Sequence, residues 1–217
     1  MDAIKVLKLD LLSVRPYFTI KNLIILVGMG TLYGALSKNP VTVLSIVQMF
    51  AMLFSVYPFM VGEESGIDPL YKLFGIDSKD VVKGRYLLAA LFVLAMLIIG
   101  MVLALIVAII WSMPDAYQGL LLGSPIVGLI TSAIIFLQYP IFFKYGYKKG
   151  KTLVVIPFLL IGIVVVISAF WGKQLKVILQ LFMMNKFIGI MLLLVMWAII
   201  SFGSLQISRK AYSGRDF

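Results

Sequence analysis

The sequence predicts an all-α integral membrane protein of six transmembrane helices, on three observations. Of 217 residues, 62% are apolar or aromatic and only 13% are charged, with a mean hydropathy of +1.09. Soluble domains sit near 45–50% apolar and about 25% charged, too polar a balance for this chain to share. Every Lys, Arg, Asp and Glu falls in one of seven short zones, which leave six apolar stretches between them. Alternate zones hold 15 of the 19 basic residues. By the positive-inside rule those zones, and with them both termini, face the cytoplasm.

The spans expected are 17–37, 41–62, 78–113, 125–143, 152–171 and 187–207, most of them near or above the ~20 residues that cross a bilayer. The first reaches that length only if it begins at Tyr17 and lets Lys21 snorkel. Ahead of it, Ile4, Leu7, Leu11 and Val14 recur at helical spacing until Pro16. This reads as an amphipathic helix on the inner membrane surface, with a simple extension of span one as the competing reading. The outer segment Gly172–Lys186 is also amphipathic and is expected to dip into the outer leaflet. Trp111 and Trp171 fall at outer span ends, and Tyr145, Tyr147 and Tyr212 at inner ones, as interfacial aromatics do. With no repeat between halves and no long linker, residues 1–217 form a single transmembrane domain.

Composition removes whole classes of chemistry. The absence of cysteine excludes disulfides and thiolate chemistry, and the absence of histidine excludes His-based zinc sites, Ser-His-Asp triads and histidine proton relays. No catalytic residue and no metal site is expected. The net charge of +10 follows from loops facing anionic lipid, and nucleic acid is not an expected partner.

The loop Glu63–Arg85 is the most informative zone, holding five of the nine acids. Asp68 can cap a short helix with Pro69 at its first position, and Gly75 can close it. Asp77 can then cap a second helix that carries Asp80 in its first turn and runs into span three. The first helix presents Leu70, Leu73 and Phe74, and is too short to stand alone in water. It needs tertiary contacts or a partner's groove, unless the loop is only a return turn between spans.

These residues carry a family resemblance. Glu63 or Glu64, Gly66, Leu70, Leu73, Gly75, Ile76, Ser78, Asp80, Val81, Val82, Arg85 and Tyr86 follow span two in a six-span chain with both ends inside. In this the sequence resembles the ABC-2 family of transporter permeases. Phe74-Gly75 stands where the family usually has Leu-Pro. The resemblance implies a cytoplasmic coupling helix between spans two and three that plugs into a separate cytosolic ABC ATPase subunit. Glu63, Glu64, Gly66, Leu70, Leu73 and Phe74 are then the coupling residues, and ATP and Mg are bound by the partner rather than by this chain. Small size and minimal outer loops make it similar to the peptide-exporting type, such as the phenol-soluble-modulin exporters.

Two other motifs fail on chemistry. Gly146–Thr152 reads GYKKGKT, but three residues separate its glycines where a phosphate-binding loop needs four, and no strand precedes it. Glu63-Glu64 resembles the paired glutamates of intramembrane CAAX-type proteases, which also need histidines. Within the spans, Gly30-x-x-x-Gly34 allows close helix approach, either inside one subunit or to a second copy. Gly119-x-x-x-Gly123 is expected in an outer loop. Ser45, Gln48, Ser55, Gln138 and Ser168 are candidate lumen residues. The polar residues expected inside the membrane include no ionisable group, so a proton- or sodium-driven carrier is disfavoured. The sequence is thus read as a permease exporting an amphipathic peptide or lipid-like substrate. The alternatives are the substrate-binding membrane subunit of a vitamin importer, or a membrane scaffold or immunity protein.

Overall fold

A computed structural model describes residues 2–113, 116–155 and 186–215, which are helical with short connections. The order is α1 (Asp2–Val14), a 3-10 turn (Arg15–Tyr17), α2 (Ile20–Ser37), α3 (Pro40–Glu64), α4 (Ile67–Leu73), α5 (Ser78–Ile110), α6 (Ala116–Leu153) and α7 (Lys186–Ser213). Five of these helices are long and apolar enough to cross a membrane: α2, α3, α5, α6 and Gly189–Ser213 within α7. The protein is therefore a multi-pass membrane protein. Of the expected fifth span and the amphipathic outer segment, residues 156–185 lie outside the described residues, and Ser168 and Trp171 with them.

Local chemistry sets most helix ends. Thr19 caps α2 by accepting from the Asn22 amide. Lys38, at φ 49°, ends α2, and Asn39 opens α3 by accepting from the Val41 amide ahead of Pro40. Asp77 caps α5 at 3.0 Å from the Lys79 amide, as the sequence indicates.

Helix α3 packs on α5 and α6, α6 packs on α7, and α1 packs on α5. An aromatic cluster of Phe59, Tyr86, Phe136, Tyr139, Phe142 and Phe143 packs between α3, α5 and α6. Gly30 and Gly34 are buried within the chain. A Cβ on Gly30 would meet Leu103 at 3.0 Å, and one on Gly34 would run into Val43 and meet Val107 at 3.2 Å. The close approach that their spacing foretells is thus made to α3 and α5.

Four expectations change. Gly119-x-x-x-Gly123 lies on α6 rather than in a loop, and Gly123 faces Val41 of α3 at 2.9 Å from a built Cβ. That helix starts nine residues before the expected span and, after a break at Gly146, resumes as far as Leu153, so Thr152 lies in a last turn instead of opening a helix. The buried face of α1 is Val6, Asp10 and Val14, with Ile4 exposed. This is roughly a quarter-turn from the expected apolar face, because α1 is docked on protein as well as amphipathic. Tyr212 is buried edge-on against Phe143 rather than lying at an interface.

Candidate functional site

The end of the bundle that holds α1, α4, the start of α5 and the end of α7 carries a cluster of buried ion pairs. Its outermost element is α4. Gly66 (φ 65°) precedes it and Gly75 (φ 67°) follows it. Both angles lie in the left-handed region that disfavours any residue with a Cβ. The chain folds back at Gly75 through amide bonds from Gly75 to the Lys72 carbonyl and from Ile76 to the Tyr71 carbonyl. Leu73 and Phe74 project outward, 80% and 77% exposed, with Leu70 at 43%.

Asp68 does not cap this helix. Gly66 occupies the cap position, and Asp68 points inward and is buried. Its carboxylate pairs with the Arg85 guanidinium at 2.5 Å, and Arg215 stands 3.7 Å from its other oxygen. Arg85 is fully buried although it lies two turns into α5. Its Nε donates to Asp10 of α1 at 3.4 Å and its Nη2 to the Pro58 carbonyl at 3.5 Å. The guanidinium also lies over the Phe59 ring, 4.6 Å from its centroid. The Tyr71 hydroxyl of α4 donates to Asp10 at 3.0 Å. One arginine thus joins carboxylates from α1 and α4, because an unpaired buried charge would be far costlier than this arrangement. Burial pushes the Asp10 carboxyl up, against the pull of Arg85 and the Tyr71 hydroxyl. The Tyr71 hydroxyl is pushed up first by burial and then by the Asp10 charge.

Glu63 makes a second polar contact. Helix α6 breaks at Gly146 (φ 73°, ψ −179°), so residues beyond it begin a new helical turn with free amides. The Glu63 carboxylate accepts from the Tyr147 amide and, at 3.1 Å, from the Lys148 amide. Glu63 therefore ties the end of α3 to the final segment of α6 beyond Gly146, whereas Glu64 is exposed. A third contact joins α5 to α7, where the Tyr86 hydroxyl shares hydrogen bonds with Ser204 and Ser208.

Of the proposed lumen residues, Gln48, Ser55 and Gln138 are buried and Ser45 is exposed. Gln48 donates to the Val93 carbonyl at 3.0 Å, and its Oε1 has no hydrogen-bond partner among the described residues. Ser55 bonds back to the Met52 carbonyl. Sequence reasoning missed Asp10 as a site residue and gave Arg85 no role. The signal was present: an acid on α1 at i+4 from Val6 and i−4 from Val14, and an arginine where an apolar helix begins.

A profile described as ABC-2 family transporter protein matches residues 5–213. No curated protein matches the chain, and no solved structure does. With nearly the whole bundle inside the matched region, the chain belongs to the ABC-2 family of transporter proteins.

Proposed function

We propose that this chain is the transmembrane permease subunit of an ATP-driven exporter, paired with a second copy of itself and moving an amphipathic peptide or lipid-like substrate outward. Permeases of this family normally work with a separate ATPase subunit and are in general non-catalytic. ATP and Mg then belong to that partner. The observation that carries the reading is the tip of α4. Three apolar side chains, Leu70, Leu73 and Phe74, stand out from a short helix whose inner side is fixed by buried ion pairs. An apolar tip on a held helix suits insertion into a groove, with Glu63 and Glu64 as lever points at the membrane end and Gly66 as the turn that aims it. The basic asymmetry supports placing α4 and both termini in the cytoplasm. Gln48, Ser55 and Gln138, buried among mainly apolar side chains, suit a substrate that is itself largely apolar.

The test is Leu73→Ala with Phe74→Ala. Each side chain fully buried in a partner contributes roughly 1.5–3 kcal/mol. The double variant should insert normally, co-purify poorly with its ATPase and lose export of a fluorescent amphipathic peptide from vesicles. Normal co-purification with normal export would overturn the reading.

A further inference from the structure

We infer that Asp10, Arg85 and Asp68 are a joint that makes α4, α1 and the first turns of α5 move as one piece, with Arg85 as its positioning residue. The inference rests on the reading of α4 as the docking element and goes beyond it, naming where a push on α4 is delivered.

Helix α4 has two buried residues, Asp68 and Tyr71, and both end on this cluster, at Arg85 (2.5 Å) and Asp10 (3.0 Å). Its covalent links impose little. A Cβ built on Gly66 or Gly75 meets nothing within 4 Å, so these glycines serve their positive φ and not a close contact. Beside the packing of Ile67 and the Tyr71 ring on the core, the orientation of α4 is set by directional polar bonds, from Asp68 to the Arg85 guanidinium and from the Tyr71 hydroxyl to Asp10. On the far side, α1 and α5 are pressed together. A Cβ on Gly84 would lie 2.8 Å from both the Ala3 carbonyl oxygen and the Val6 side chain. With Asp10 bonded to Arg85 as well, α1 and the start of α5 form one body, and α4 is pinned to it.

Stability alone does not account for the charges. Replacing a buried ionic triad by apolar residues of similar volume is often neutral or stabilising, while removing one member is strongly destabilising. That contrast makes the joint testable. The variant Asp10→Leu/Asp68→Leu/Arg85→Met removes all three charges together. The double variant Asp68→Leu/Tyr71→Phe removes both polar links from α4 to the cluster, leaves Arg85 paired with Asp10, and serves as the second variant should the triple one not fold.

The cysteine-free chain accepts spin labels at Leu73→Cys on α4 and Lys8→Cys on α1. Their separation is read by double electron–electron resonance in the full chain in lipid nanodiscs. The native joint should give a narrow distance distribution, and either variant a broadened one. With the co-purifying ATPase, export per ATP hydrolysed should fall by roughly 2- to 30-fold, the range for residues that carry coupling between sites. In the unlabelled variants, which keep Leu70, Leu73 and Phe74, co-purification should be unchanged. A triple variant that keeps its thermal stability, the narrow distribution and the native export per ATP would overturn the joint, as would a narrow distribution in a folded Asp68→Leu/Tyr71→Phe chain. If no ATPase docks on α4 even in the native chain, the docking reading falls, and the distance measurement still decides the joint.

Discussion

Replacing Glu63 by Ala should loosen the segment of α6 beyond Gly146 without unfolding the bundle. Helix α6 is broken at Gly146, and the amides of Tyr147 and Lys148 are first-turn donors whose acceptor is the Glu63 carboxylate. Losing a side-chain cap costs about 0.5–2 kcal/mol, and losing a negative charge at a helix N-terminus about 0.3–1 kcal/mol. Together these amount to roughly 1–3 kcal/mol of local opening, a 5- to 150-fold faster amide exchange if opening governs exchange. Hydrogen–deuterium exchange of a peptide covering 147–153, in detergent or nanodiscs, reads this directly. Glu63→Gln should fall between, since it keeps an acceptor oxygen and loses the charge. Gly146→Ala supplies an independent check. Its Cβ would lie 2.6 Å from Glu63 Oε2 and 2.7 Å from Arg215 Nη2, at a φ of 73°. The two substitutions break the same contact, so their effects should combine less than additively. Unchanged exchange at 147–153 in Glu63→Ala would show that the break in α6 closes on its own and that Glu63 is not its cap.

Gly84→Val should detach α1 from α5, seen as new protease cleavage between α1 and α2, because the added carbons fall on the Ala3 carbonyl and Val6. Gly34→Leu should lower thermal stability by about 1–3 kcal/mol through overpacking against Val43 and Val107. Dependence of that loss on protein concentration would instead point to a contact between copies. Cysteines at Lys149 and Ser213 should resist impermeant thiol reagents in intact cells while one at Asp115 labels; outside labelling at Lys149 would reverse the assigned orientation. Photolabelling of the purified chain by an ATP analogue should leave Lys151 unmodified, since its glycine spacing does not form a phosphate cradle.

The sequence alone was enough for those features whose causes are local. Asp77 caps α5 and Gly75 ends α4 because caps and left-handed turns depend on a few neighbouring residues. Helices long and apolar enough to span stand out because hydrocarbon rewards continuous hydrophobicity whatever packs beside it. The exposed tip of Leu70, Leu73 and Phe74 was readable for the same reason, from helical spacing within one turn-rich segment.

What tertiary structure decided was every pairing between charges far apart in the chain. Asp68 had a sound local use as a helix cap, yet it serves Arg85, 17 residues on, which also draws Asp10 from 75 residues away. A local rule cannot foresee this, because the cost of burying Arg85 exists only once α1, α3 and α5 enclose it. The same holds for α1, whose buried face turned toward Asp10, and for Gly119-x-x-x-Gly123, which became a helix contact once Val41 of α3 lay against it. Glu63 found its amides because α6 breaks at Gly146 beside it, and a break supported by a carboxylate 83 residues earlier in the chain has no signature in either segment alone.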